Sequence, residues 1–164
     1  MQAALRIVRN RPSPRTFGVG TAALTYFWES LMKVHGSCHC KAITYEAEVD
    51  LDRVTICHCT DCQALTGSAF RVSVPVAVQD FSLLSGIPNI YVKVAESGAK
   101  RAQAFCPNCG SPLYTHAVGD PKSYGLRVGC IAERNQLVPR KQKWCSSALA
   151  WTQNLEGIPR RDRE

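Results

Sequence analysis

Acidic residues are almost missing from the first 35 residues, where Arg6, Arg9, Arg11, Arg15 and Lys33 face Glu29 alone. That stretch holds more than half of the chain's net charge of +7. The remainder is close to balanced, which argues against a surface built for nucleic acid. Its most basic run, Arg140-Lys141-Gln142-Lys143, is short, has Trp144 as its aromatic neighbour, and reads as a solvated edge. Long apolar runs are missing too. Phe17 to Trp28 falls well short of the roughly 20 residues that a bilayer span needs, and no small-x-small cleavage site follows it cleanly, so neither a membrane anchor nor a secretory signal is expected. There is no internal repeat. Charged residues make up 20% of the chain, below the usual quarter.

A disulfide framework is also lacking, although the chain has nine cysteines. Their number is odd, and most stand in tight C-x-C and C-x-x-C clusters, where a disulfide closes a small strained ring and stabilises little. Thiolates on metal in a reducing, cytoplasmic setting are the better reading. At 164 residues and 45% hydrophobic, the chain has the material of one domain.

The densest cluster is Cys57-His58-Cys59-Thr60-Asp61-Cys62. Its thiols stand at i, i+2 and i+5 and converge only if the backbone coils tightly. Zinc takes four ligands in a tetrahedron, and a site that receives three from protein keeps one position open for water or substrate. Cys38-His39-Cys40 upstream and Cys106-Pro107-Asn108-Cys109 downstream supply four more thiols, the number of a closed structural site. Two zinc ions per chain are therefore expected, one to hold the fold and one to do chemistry. Spacing alone leaves another pairing open, in which Cys59 and Cys62 join Cys106 and Cys109 as a zinc ribbon.

Around these clusters the pattern is mainly β. Residues 42 to 49 alternate apolar with polar, Val54-Thr55-Ile56 runs into Cys57, and residues 68 to 78 read as a long strand that Pro75 demotes in part to an edge or bulge. Residues 81 to 84, 90 to 94, 102 to 105, 113 to 117 and 124 to 131 are further strands, and residues 63 to 67 form one helical turn. The strand, C-x-x-C turn and strand around Cys106 form a zinc knuckle, with Pro107 presetting the turn and Gly110 allowing the positive φ that lets N–H groups face sulfur. Trp144, Trp151 and Ile158 suggest a tail packed on the body. Cys130 and Cys145 read as small buried apolar residues.

With the cysteines in this order, the stretches Gly36-Ser37-Cys38-His39-Cys40, Cys57 to Cys62 with Thr66-Gly67-Ser68-Ala69-Phe70, and Phe105 to Tyr114 resemble the glutathione-dependent formaldehyde-activating enzyme family. The likeness runs from about Gly36 to Pro159 and includes the Trp144 to Trp151 spacing. It implies an Mss4-like fold of coiled antiparallel β-sheets with two zinc ions. It also implies that Cys38, Cys40, Cys106 and Cys109 hold the structural zinc and that Cys57, Cys59 and Cys62 form the catalytic site. Lys41 departs from the pattern, since the family usually has Gly there.

The resemblance divides the chain into an extension over 1–35, a zinc-binding domain over 36–159 and a frayed polar tail over 160–164. The extension lies outside the likeness, and translation from Met32 accounts for it, because Met32-Lys33-Val34-His35-Gly36 leads straight into the first cysteine pair.

The implied activity is that of a carbon-sulfur lyase acting on S-hydroxymethylglutathione, formed from glutathione and formaldehyde, or on a related thiol-aldehyde adduct. A thiolate attacks the carbonyl carbon, so the site must favour the deprotonated thiol. Three thiolates on Zn²⁺ leave a net negative charge, and a fourth calls for nearby cations, for which Arg71, Lys100, Arg101 and Arg127 are candidates. His58 and Asp61, between the ligands, either relay the proton or cap the metal loop. The competing class is a zinc-binding Mss4-like interaction module without enzymatic activity, which would gain if a residue such as His58 closed the three-thiol site.

Overall fold

The computed structural model describes residues 30–163; most of the 1–35 extension, including Phe17 to Trp28, and the last residue of the polar tail lie outside them. Ten strands form two sheets. The smaller holds β1 (Leu31–Ser37), β2 (Thr44–Asp50) and β5 (Phe81–Ser85), antiparallel in the order β1-β2-β5. The larger is built from β3 (Thr55–Cys57), β4 (Arg71–Ala77), β6 (Asn89–Val94), β7 (Lys100–Phe105), β8 (Pro112–Ala117), β9 (Ser123–Arg127) and β10 (Lys141–Lys143), in the order β10-β3-β4-β9-β8-β7-β6. One helix, α1 (Thr60–Thr66), and several 3-10 turns complete the described residues. None of their helices is long and apolar enough to cross a membrane.

The fold is thus mainly β, as the patterning predicts. β2 alternates as read, burying Tyr45, Ala47 and Val49 while Glu48 stays exposed. The core lies between the sheets, where Tyr45, Phe81, Tyr114 and Tyr124 pack with ring centroids 4.8 to 5.3 Å apart, the spacing of favourable aromatic pairs. Gly36 is required here, because a Cβ at that position would stand 1.9 Å from the Tyr45 ring. Pro75 pairs with Gly125 of β9 but lies beyond the end of β3, which matches only residues 71–73. Its missing N–H therefore costs no ladder bond to β3.

Several expectations are corrected. The body reaches upstream of Gly36, because β1 begins at Leu31 and pairs with β2 from Asp50 onward. The last long strand stops at Arg127, where a 3-10 turn over Val128–Cys130 carries the chain to Ile131, bridged to Gly36. Arg140 to Lys143 is a solvated edge, as read, but one with unexpected strand structure: Lys141–Lys143 pairs with β3, and that pair is parallel in an otherwise antiparallel sheet. Trp144, Trp151 and Ile158 are each more than half exposed among the described residues, so no packed tail forms there. Cys145 is exposed, whereas Cys130 is partly buried with its thiol donating to the Pro112 carbonyl at 3.1 Å.

Lys41 is exposed, as expected, but its backbone is left-handed, with φ 61°. Its N–H closes a turn onto the Cys38 carbonyl at 3.0 Å, and Cys38 N–H reaches the Ile43 carbonyl at 3.0 Å. The turn needs that conformation to bring Cys40 back toward Cys38, and the Cβ of a lysine costs about 1–2 kcal/mol there. Lys41→Gly should therefore stabilise the protein by about 1 kcal/mol after the extra entropy of glycine is counted. A denaturant titration should show a raised midpoint at constant slope; an unchanged or lowered midpoint would mean the turn carries no strain.

Candidate metal centre

The β1–β2 loop brings Cys38 and Cys40 to the β7–β8 turn, which carries Cys106 and Cys109. Each loop is closed by its own backbone: Cys106 N–H donates to the Ser111 carbonyl at 3.0 Å, and Gly110 N–H to the Cys106 carbonyl at 2.9 Å, with Gly110 at φ 72°. His39 N–H bridges the two loops by donating to Ser111 Oγ at 3.0 Å. The four Sγ atoms lie within 4.8 Å of one another, with Cys38–Cys40 at 3.5 Å and Cys40–Cys106 at 3.7 Å. A tetrahedron with Zn–S bonds of 2.3 Å has sulfur–sulfur edges of about 3.8 Å, so the donor set fits a closed four-thiolate site. Ile43 N–H points at Cys38 Sγ from 3.3 Å. Ser111 and backbone N–H groups hold the Cys109 thiol down at about 5. The Ala42 backbone pulls Cys40 down, but its thiol neighbours, Cys38 first, and some loss of solvent around the sulfur prevail and push it up to about 11. Burial works to raise Cys38 too, but hydrogen bonds from the Ile43 backbone, Cys40 and Cys106 bring it down, so Cys38 and Cys109 are biased toward thiolate at the expense of Cys40.

The second group gathers at the end of β3. Cys57 closes the strand, Cys59 is the residue before α1, and Cys62 sits in its first turn, buried. The sulfurs lie within 4.8 Å of one another, with Cys57–Cys59 at 3.6 Å and Cys57–Cys62 at 3.2 Å. They form one face of such a tetrahedron. Burial pushes the Cys62 thiol up, against the pull of Arg71. Burial also works to raise Cys59, but hydrogen bonds from Cys62 and Cys57, helped by Arg71, bring it down. The structure thus forms the four-thiol and three-thiol groups apart, not the zinc-ribbon pairing.

His58 does not join the three thiols. Its ring is buried, with Nε2 2.8 Å from Gln142 Oε1 and Phe70 edge-on at 5.7 Å. Its backbone N–H donates to the Lys143 carbonyl at 3.0 Å, which continues the β10–β3 pairing into the thiol loop. His58 is a bracing residue here. Gln63 was not singled out in the sequence, yet its Nε2 donates both to the His58 carbonyl at 2.7 Å and to the Ser147 carbonyl at 2.9 Å. It staples the thiol loop to the segment after β10, a contact across 84 residues with no local signature.

A cavity of about 580 Å³ opens over the three thiols, and all three line it. This is the size of an ordinary small-molecule site. Of the cations proposed from composition, Arg71 and Arg101 line it and Lys100 does not. Arg127 is buried behind the wall, its Nη2 donating at 2.8 Å to Gln103 Oε1, and Gln103 is part of the lining. Burial, with Arg71 nearby, brings the Arg127 guanidinium down to about 9. Lys93 is a further cation in the lining, and it forms an ion pair with Asp61. The β6–β7 register sets it opposite Arg101, which no local pattern announces.

A family profile described as glutathione-dependent formaldehyde-activating enzyme matches residues 33–147, most of the described chain. The chain belongs to this family. An uncharacterized lyase of Schizosaccharomyces pombe, C29B12.13, is 32% identical over 79 residues, which cover 48% of this chain and 54% of the relative. The match thus spans about half the length of that curated relative. The crystal structure of a Rhodobacter sphaeroides protein shares the fold, with a TM-score of 0.52 and 22% identity over 68% of this chain and all of the other. Family membership accounts for the order of the cysteine motifs, while the Gln63 staple and the Lys93–Asp61 pair come from this structure.

Gln63→Leu removes both staples and leaves two carbonyls without their partner, which should cost about 2 kcal/mol of folding stability. Equilibrium unfolding of the variant measures it, and a loss within error of zero would show that the staple contributes nothing.

Proposed function

We propose that the chain is a zinc-dependent carbon-sulfur lyase acting on the adduct of glutathione and formaldehyde, S-hydroxymethylglutathione, or on a closely related thiol-aldehyde adduct. Cys38, Cys40, Cys106 and Cys109 would hold a structural zinc, and Cys57, Cys59 and Cys62 a second one at the working site. One observation carries this reading: the three thiols line a cavity and, among the described residues, no fourth metal-binding side chain joins them. An interaction module would have reason to close that position, and His58, the residue best placed in sequence to do so, is engaged by Gln142 instead. When bound, zinc supplies a Lewis acid and a site that favours a thiol in its thiolate form.

The chain's own residues supply the rest. With Lys93 paired to Asp61, Arg71 and Arg101 against Glu96 leave the cavity wall a positive charge suited to a carboxylate of a peptide thiol. Arg71 also lies close enough to act on Cys59 and Cys62, so it offsets the charge that builds up when a further thiolate enters. In the forming direction the sulfur loses its proton, the carbon–sulfur bond forms, and the aldehyde oxygen takes up a proton to become the hydroxyl. Of the two titratable residues between the thiols, Asp61 lines the cavity and would relay that proton, whereas His58 is buried and would hold the loop. Lys93 keeps the Asp61 carboxylate in place until substrate enters.

Protein purified without chelator should contain about two zinc ions per chain, and the four-thiol site should keep its metal longer under chelation. Cys38→Ser or Cys106→Ser should destabilise the whole domain. One zinc or none, in folded and reduced protein, would remove the two-site scheme.

Activity is best read by magnetisation-exchange NMR on glutathione and formaldehyde at equilibrium, because the uncatalysed addition is already quick. Added protein should speed the exchange, and Cys59→Ser should abolish the enhancement with the fold intact. If wild-type protein gives no enhancement and binds no glutathione at millimolar concentration, the activity is wrong, and a different thiol substrate or a binding role takes its place.

A further inference from the structure

Among the described residues, two that are not glycine have a left-handed backbone: Lys41 and Trp144. Lys41 is explained by the turn at the four-thiol group. Trp144, at φ 59° and ψ 43°, needs another reason, because a bulky residue is a poor choice for that conformation. Core packing does not supply one. The indole is 54% exposed among the described residues, so little burial offsets the backbone strain.

The chain on either side of Trp144 is clamped to the three-thiol loop. Before it, Lys143 pairs with Cys57 and accepts the His58 N–H. After it, the Ser147 N–H donates to the Trp144 carbonyl at 3.2 Å, and the Ser147 carbonyl accepts from Gln63. The left-handed residue turns the chain between these anchors and sets the indole on the wall of the cavity that holds Cys57, Cys59 and Cys62. Across from it lies the turn between β6 and β7, since Ala95, Glu96 and Ser97 share with Trp144 both this cavity and a smaller hollow beside it. The rim of the site is therefore one aromatic face opposite one hairpin turn.

We propose that Trp144 is a substrate-contacting residue, whose indole lies against the body of the thiol substrate while the sulfur is presented to Cys57, Cys59 and Cys62. This rests on the thiol-aldehyde reading above and adds a specificity-determining surface to it. An indole offers a large rigid apolar face at little cost in side-chain entropy, and a polar edge for the peptide groups of such a ligand. The strain is tolerated because a different residue at this position would leave the rim without that face.

The test compares wild type with Trp144→Gly, which suits the backbone, and Trp144→Phe, which keeps an aromatic face. Each zinc-loaded protein is titrated with reduced glutathione by calorimetry and melted without it. Trp144→Gly should bind glutathione at least about tenfold more weakly, and Trp144→Phe within about threefold of wild type. The melting temperature of Trp144→Gly should equal or exceed that of wild type, opposite in sign to its loss of binding; a residue that merely holds the loop would lose both together. Wild-type affinity in Trp144→Gly, or a lowered melting temperature in it, would overturn the proposal and leave the thiol reading standing. Phe weakening binding as much as Gly would do the same. Wild type that binds no glutathione would overturn the thiol reading and this proposal with it.

Discussion

Seven sulfur atoms held in two groups, each with neighbours closer than about 4 Å, are a constraint that protein contacts alone do not satisfy. As thiols they are weak donors and acceptors that gain little from one another. As thiolates they repel, and the two are pushed apart: Cys62 goes up through burial and its thiol neighbours, while Cys59, despite its burial, comes down through its hydrogen bonds from Cys62 and Cys57. A divalent cation in each group would resolve the conflict for all at once. The turn at Lys41, the Gly110 turn, the Gln63 staple and the His58–Gln142 bond make sense as scaffolding for that resolution.

The two groups solve the problem differently. The four-thiol group uses short loops that sequence reasoning can follow, because Cys38–Cys40 and Cys106–Cys109 each lie in a single turn with recognisable chemistry. The three-thiol group borrows its support from far away. Gln142, Ser147 and Lys93 reach it from β10, the segment after it and β6, and Arg127 of β9 holds Gln103 in the cavity lining. Arg71 Nε and Arg127 Nε and Nη1 are buried without protein partners among the described residues. Unspent cationic donors at the back of the cavity are what an anionic ligand set calls for.

The same division explains how far the chain could be read without a structure. β2 announced itself by alternation, β7 and β8 by flanking the C-x-x-C turn, and the cysteine motifs by spacing. α1 was underestimated because its first turn, Thr60-Asp61-Cys62, is occupied by the thiol motif and carries no apolar periodicity. β10 escaped notice because Lys141–Lys143 has no buried side chain; it is a strand through its backbone pairing with β3 alone. Trp144 and Trp151 were expected to pack because tryptophan usually does, and the exposed indole of Trp144 belongs to the cavity rim instead. Lys93 faces the cavity only because of sheet register, which is set by the whole chain.

A metal bound to the four-thiol group would join Cys40 to Cys106 across 66 residues, and everything between them, the three-thiol loop and most of the cavity wall included, would lie inside a closed ring. Ring closure becomes harder only with the logarithm of ring size: even doubling the length adds only about 0.6 kcal/mol. The turn between β6 and β7, facing Trp144, is a point where that ring can grow or shrink by a few residues at almost no thermodynamic cost. The mouth of the cavity can thus be remodelled while the four-thiol group stays as it is.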